Sequence, residues 1–156
     1  MVLSVGYASS LSYDPRVGST GAFSLNANFK GPECYNRTQL IALGDGTALL
    51  STTPLQIVSA NFGTLAFSQT FSPPRTCPTM TLLQDGRVLV TGGTDDATAA
   101  VVSPSARTIT PTGSGMAART DHTATLLGNG AVLVAGGQTP GLVNYITSAE
   151  LYCPEM

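Results

Sequence analysis

The stretch 119–137 reads Arg-Thr-Asp-His-Thr-Ala-Thr-Leu-Leu-Gly-Asn-Gly-Ala-Val-Leu-Val-Ala-Gly-Gly. Two apolar runs flank the pair Asn129-Gly130, and the doublet Gly136-Gly137 closes the second run. The same pattern stands earlier at 75–93, with no insertion or deletion. There Thr79 and Thr81 alternate with Met80 and Leu82, the period of a half-buried strand. Asn-Gly and Asp-Gly supply the positive φ angles of a tight hairpin turn, so each copy predicts two antiparallel strands.

The copies belong to a longer series. The turn glycines Gly46, Gly86 and Gly130 stand 40 and 44 residues apart, and such a period marks a repeat architecture. Seven residues after each, the next strand ends at Thr53, Gly93 and Gly137, and Tyr7 fills the same slot one repeat earlier. Four units follow, at 1–34, 35–74, 75–118 and 119–156. A full unit predicts four short strands, a to d. Strand a falls at 39–44, 77–83 and 122–127, and strand b at 2–5, 48–51, 88–91 and 132–135. Strand c ends at Tyr13-Asp14-Pro15, Val102-Ser103-Pro104 and Tyr152-Cys153-Pro154, where proline removes a ladder donor. In the second unit 56–59 is the candidate for strand c. Strand d falls at 22–25, 64–68 and 107–110. The first unit lacks a and the last lacks d, so fourteen strands are expected, with no helical period anywhere. Val88-Leu89-Val90 and Val132-Leu133-Val134 are continuously apolar, as for strands covered on both faces.

Composition supports this reading. Hydrophobic residues make up 42% of the 156, which argues against disorder. Charged residues make up only 10%, against about 25% in an ordinary soluble domain. Threonine, serine, glycine and proline take their place, a mixture suited to strands and turns. A net charge of −2 leaves no basic footprint for nucleic acid or an anionic membrane. The longest apolar runs, such as 131–135, fall far short of the ~20 residues that span a bilayer, so no membrane insertion is expected. The first residues lack a charged start and a long apolar stretch, so no signal peptide is read in this chain.

Four-stranded antiparallel units in series are the blades of a propeller. The Gly-Gly doublets, the pattern His122-Thr-Ala-Thr-Leu-Leu with Val132-Leu-Val-Ala-Gly-Gly, and Ser148-Ala149-Glu150-Leu151-Tyr152 before Pro154 resemble kelch repeats. The type is that of bacterial secreted kelch proteins and the galactose oxidase-like propeller. Tyr13-Asp14-Pro15 followed by Gly18, Thr20 and Phe23 resembles the kelch link from strand c to strand d. The resemblance covers nearly the whole chain and is weakest in the second unit, where Ser51-Thr52-Thr53 replaces the doublet. The chain departs from the pattern in having no tryptophan. It implies an all-β, propeller-type array of about four kelch-like blades, the first and last incomplete, forming an open or partner-completed arc. It also favours an extracellular or periplasmic location.

In such a meander the a–b turns share one face with the c–d turns, and the b–c loops share the other. The b–c loops lengthen along the chain, and variable loops on a rigid scaffold are where binding residues tend to sit. A ligand-binding face is therefore expected from Gln138, Asn144 and Tyr145, with Thr94, Asp95, Asp96 and the strand-a starts Arg75, Arg119 and Asp121. Each has a structural alternative. Arg75 and Arg119 recur with the repeat and suit links between blades, or else a cationic ring about a central channel. Asp95-Asp96 suits a solvated turn, or a cation pair short of further oxygen ligands. His122, the one histidine, aligns with Pro78 and reads as a structural residue at a tolerant position. The doublets are not phosphate loops, since no helix or lysine follows. They allow a sharp exit from strand b.

Three cysteines, Cys34, Cys77 and Cys153, permit at most one internal disulfide and form no CxxC zinc pair. Cys34 precedes one strand a and Cys77 lies in the next, so pairing of these two and free thiols remain the alternatives. Asn36-Arg37-Thr38 is a glycosylation sequon, relevant only in a secretory eukaryote.

No catalytic, metal or cofactor set emerges from these residues. The expected function is a non-catalytic binding or assembly module for a protein or glycan, with a homo-oligomer as one route to completing the arc. The alternatives are a segment of a galactose oxidase-like copper oxidase, or a truncated fragment without its own activity. Those oxidases use two histidines, two tyrosines and a cysteine crosslinked to one tyrosine, a set that one histidine cannot build.

Overall fold

The computed structural model describes residues 3–5, 10–14, 22–27, 39–51, 55–58, 64–75, 77–141 and 144–155. Among them it forms fourteen strands and no helix. The first compact unit, Met1–Ser68, holds β1 (Leu3–Val5), β2 (Ser10–Asp14) and β3 (Ala22–Ala27) in one sheet. Its second sheet is β4 (Leu40–Ala42), β5 (Ala48–Leu50), β6 (Leu55–Val58) and β7 (Thr64–Gln69). The other unit, Gln69–Met156, also has two sheets. One is β8 (Thr79–Leu82), β9 (Val88–Thr91), β10 (Ala99–Ser103) and β11 (Thr108–Thr112). The other is β12 (Thr123–Leu126), β13 (Val132–Ala135) and β14 (Ala149–Tyr152). Each is an antiparallel meander in chain order, the blade pattern of a partial propeller-like fold.

The strands fall where the repeat places them, in sheets of three, four, four and three. Two of the four b strands, β9 and β13, keep the expected bounds, and 56–59 proves to be β6, one residue earlier. Pro111 lies inside β11 opposite Ala100, which the sequence reading did not anticipate. It is tolerated because β11 is an edge strand, where a missing donor interrupts no ladder.

The a–b turns are the expected tight hairpins, but Asp and Asn do not share the positive φ. Only the glycines take positive φ: 82° at Gly46, 83° at Gly86 and 86° at Gly130. Leu43 and Thr47 close a three-residue loop, and the Gly46 amide donates back to the Leu43 carbonyl at 3.2 Å. The residue before each glycine works through its side chain. Asp45, Asp85 and Asn129 each accept the backbone amide two residues on, at 2.9, 3.0 and 3.1 Å. Aspartate and asparagine thus mimic a turn carbonyl while glycine carries the left-handed backbone.

The core of the second unit lies between its two sheets. Leu83, Leu89, Ala99 and Val101 meet Val132 and Val134, with Ala124, Leu126 and Tyr152 packed alongside. Val88, Leu89 and Val90 are each 0% exposed, as a strand covered on both faces should be. The parallel expectation for β13 holds on one face alone. Val132 and Val134 are buried, while Leu133 and Ala135 are only half-buried.

Cys77 is disulfide-bonded, and Cys153 is a free, exposed thiol. Cys34 and the Asn36-Arg37-Thr38 sequon lie outside the described residues.

Candidate functional site

Arg75 and Arg119 make the same clamp one repeat apart. Arg75 Nη1 donates to the carbonyls of Gly92 (2.8 Å) and Thr98 (2.7 Å), and its Nη2 to Thr98 Oγ1 (3.2 Å). Arg119 Nη1 donates to the carbonyls of Gly136 (2.8 Å) and Ser148 (3.3 Å), and its Nη2 to Ser148 Oγ (3.3 Å). In both, the arginine before strand a holds the exit of b and the entry of c in its own sheet. The side chains therefore fasten the b–c loop within a blade and do not form a cationic ring.

Glu150 adds an ion pair to the second clamp, through Arg119 Nη2. Its other oxygen accepts the Met116 amide at 2.7 Å. Burial alone would raise the Glu150 carboxyl, but the Met116 amide and the Arg119 guanidinium outweigh it and lower the pKa. The equivalent position in the earlier sheet is Ala100, so Arg75 has no such partner on strand c. Burial instead lowers the Arg75 pKa, opposed by the charge of Asp96.

Asp96 is exposed and serves the turn. It accepts Thr98 Oγ1 at 2.9 Å and the Thr98 amide at 3.3 Å, and hydrogen bonds from Thr98 and Thr94 lower its pKa. Thr94 is buried, with Oγ1 3.3 Å from Thr98 Oγ1, and Asp95 is exposed. Asp95 and Asp96 belong to no cluster of three metal-ligating groups among the described residues.

His122 proves to be a tightly enclosed position. It is 5% exposed, and its Nε2 lies 2.9 Å from Thr91 Oγ1 on β9. Its carbonyl accepts Thr79 Oγ1 of β8 at 3.3 Å, so it ties the two sheets together. Nδ1 is buried with no hydrogen-bond partner. Protonation would place a second N–H where nothing accepts it. Desolvation, with the charge of Arg119 adding to it against Asp121 and Glu150, pulls the pKa from 6.5 to about 4.

This shift sets an acid sensitivity. A base whose pKa falls on folding is neutral in both states above pH 6.5, and its contribution is fully present there. As pH falls from 6.5 towards 4 the unfolded chain alone takes up the proton, and stability drops by on the order of 3 kcal/mol. Glu150, with a lowered carboxylate pKa, contributes above its unfolded value of 4.5 and is lost at still lower pH. Urea unfolding at pH 7.5, 6.5, 5.5 and 4.5 checks this. His122→Asn should flatten the slope between pH 6.5 and 4.5; an unchanged slope would place the sensitivity elsewhere.

The longer b–c loop forms a ledge. Thr120 and Gln138 exchange both backbone hydrogen bonds, each 2.9 Å. Gln138 faces Tyr145 in a second antiparallel bridge, flanked by Thr139 N to Asn144 O (3.0 Å) and Ile146 N to Gly137 O (2.8 Å). Gln138 Nε2 donates to Asp121 Oδ2 at 2.9 Å. Asp121 takes a left-handed φ of 55°, a conformation in which aspartate is enriched. Asn144 is exposed and Tyr145 is 81% exposed. Asp121, Gln138, Asn144 and Tyr145 are thus brought together at the surface. Thr94, Asp96 and Arg75 meet at Thr98, and Arg119 is enclosed.

A cavity of about 260 Å³ lies between the two sheets of this unit. Thr98, Gly115, Arg119, Glu150, Tyr152 and Cys153 line it, and Tyr152 OH lies 3.1 Å from Thr112 Oγ1. Neither the cavity nor the Arg119–Glu150 pair was anticipated from sequence. The one available signal was an acid in strand c of the last repeat where the preceding repeat has alanine.

No protein-family model matches the chain, and no curated protein matches it. Among solved structures it is similar to a novel fungal alcohol oxidase of the AA5 family, in complex with copper. The TM-score is 0.61 at 17% identity, over 88% of this chain. The chain spans 34% of that oxidase, and the likeness is one of fold. The described residues do not fit copper. The chain's one histidine is enclosed on Thr91, and no group of three His, Cys, Asp or Glu side chains converges among the described residues.

Proposed function

We propose that the chain is a binding module that recognises a protein or glycan through the ledge of Asp121, Gln138, Asn144 and Tyr145. The observation that carries this reading is Tyr145. Its ring is 81% exposed on a loop held by two successive antiparallel bridges, so an aromatic surface is presented with little ordering left for binding. The amide of Gln138, the carboxylate of Asp121 and the exposed Asn144 supply directional polar groups beside it. An aromatic anchor flanked by amides suits a sugar ring or an extended peptide.

Titration against an oligosaccharide panel and a peptide library tests this. A ligand should emerge whose affinity falls at least about tenfold in Tyr145→Ala, about 1.4 kcal/mol, with the fold unchanged by circular dichroism. Binding that ignores both Tyr145→Ala and Gln138→Ala would move recognition elsewhere. Turnover abolished by mutation of a named side chain would replace the reading with an enzyme.

A second reading is favoured by the match to about a third of a copper-bearing oxidase. On that reading the chain is a scaffold segment of a larger oxidase propeller, with metal ligands supplied from outside the described residues.

A further inference from the structure

The cavity between the two sheets of the second unit has a wall richer in free acceptors than in free donors. Arg119 is the one cationic side chain among the described residues that line it, and it is 3% exposed. Its Nη donors are already taken. Nη1 donates to the carbonyls of Gly136 and Ser148, and Nη2 to Ser148 Oγ and Glu150 Oε1. Thr98 Oγ1 gives its proton to Asp96. Tyr152 OH and Thr112 Oγ1 share a hydrogen bond of 3.1 Å, which uses one proton and leaves lone pairs on both oxygens. Glu155 brings a second carboxylate to the lining. Arg87 Nη2 holds its carbonyl at 3.4 Å, while the charge of Arg87 is matched by Asp85. Among the described residues the Glu155 carboxylate has no ion pair. One guanidinium stands against two carboxylates, so the lining carries one unmatched negative charge.

The space exists because other parts of the wall are small and apolar: Gly92, Ala97, Ala99 and Ala117, with Val134 beside them. The link from β11 to β12 completes the wall and is tied to both sheets. The Gly115 amide donates to the Ala97 carbonyl at 2.9 Å, and the Met116 amide to Glu150 Oε2 at 2.7 Å. A wall held in this way is formed before a ligand arrives, which keeps the ordering cost of binding low. At about 260 Å³ the cavity falls just below the ~300–1,000 Å³ of drug-sized sites, so its occupant is one small molecule. We propose that this cavity binds a small aliphatic primary amine, with the ammonium group at Glu155 and the hydrocarbon body against the alanines. An ammonium brings three donors, no acceptor and a positive charge, the complement of this wall. A carboxylate would meet Glu155 and Glu150 with no free cation to receive it. An alcohol would leave the charge unmatched. None of Asp121, Gln138, Asn144 and Tyr145 lines the cavity, so this site stands apart from the ledge.

The test is calorimetric titration at pH 7.5 with cyclohexylamine, cyclohexanol and cyclohexanecarboxylate, three probes with one ring and different head groups. The amine is cationic there, as a lysine side chain is. It should bind saturably and at least about fivefold more tightly than the alcohol, and the carboxylate should not bind. Glu155→Gln, at an exposed position that the fold does not depend on, should weaken the amine about two- to fivefold. Asp45→Asn removes an equal charge from a turn outside the cavity, where Asn129 shows that asparagine is accepted, and should change nothing. Cys153, a free and exposed thiol in the lining, places the ligand. Its alkylation by iodoacetamide should slow as the amine saturates. Failure of the amine to bind overturns the proposal, as does equal binding of the alcohol or tighter binding of the carboxylate. So does amine binding that leaves the alkylation rate unchanged or that Glu155→Gln does not weaken.

Discussion

Arg119→Ala should destabilise the second unit by about 3–5 kcal/mol, the range for removing one partner of a buried ion pair. Arg119 is 3% exposed, and its guanidinium serves the Gly136 and Ser148 carbonyls, Ser148 Oγ and Glu150 together. Truncation leaves a carboxylate without its counter-charge and strips donors from the carbonyls at both ends of the b–c loop. Arg119→Lys keeps the charge but not the planar fork, so it should recover only part of the loss. Arg119→Met with Glu150→Leu should destabilise less than Arg119→Ala, because no buried charge is left alone. Arg75→Ala should fall below Arg119→Ala, at roughly 1–3 kcal/mol, since Arg75 is half-buried and bonds only to neutral groups. Urea midpoints for the four variants decide this. A loss under about 1 kcal/mol in Arg119→Ala would show that the clamp does not hold the sheet.

Gly92→Ala and Gly137→Ala should each lose about 2–5 kcal/mol, against about 1–2 kcal/mol for Gly86→Ala. All three have positive φ, at 69°, 94° and 83°, where a side chain strains the backbone by roughly 1–2 kcal/mol. What separates them is space. A Cβ at Gly92 would stand closer than 3.0 Å to the Arg119 carbonyl oxygen and to His122 Cε1. One at Gly137 would overlap the Thr120 carbonyl oxygen and His122 Cβ. At Gly86 nothing lies within 4 Å. Overpacking adds about 1–3 kcal/mol, and a backbone oxygen cannot swing aside. The Gly92 variant should also weaken the link in which the Gly93 amide donates to the Arg119 carbonyl at 3.0 Å. Thermal melts of the three alanine variants supply the comparison. Equal losses at Gly86 and Gly92 would reduce the doublet to a conformational requirement alone.

That comparison separates two kinds of information in one residue type. The period of 40 and 44 residues, the Asp-Gly and Asn-Gly pairs and the apolar runs are local features, repeated with the geometry they encode. They determined the all-β class, the strand order and nearly every strand, because a strand's faces and a turn's φ are set by a few adjacent residues. The recurrence of Arg75 and Arg119 announced a repeated structural part but not its bonds, since their partners lie 17 to 31 residues away. His122 looked tolerant because Pro78 fills the same slot. Only packing showed it pressed between Thr91 and the space left by Gly92.

The candidate site divides in the same way. That the long b–c loop would carry exposed polar and aromatic groups was legible from its length and composition. The backbone bridges that make it a ledge, and the enclosure of Arg119 and Thr94, were not. Val132-Leu133-Val134 gives the same limit from the other side. Its sequence matches Val88-Leu89-Val90, yet one strand is covered on both faces and the other on one. By itself the sequence determined which residues can face a neighbouring sheet. Whether a neighbour is there was decided by tertiary structure alone, because burial belongs to the pair of surfaces and not to the strand that carries one of them.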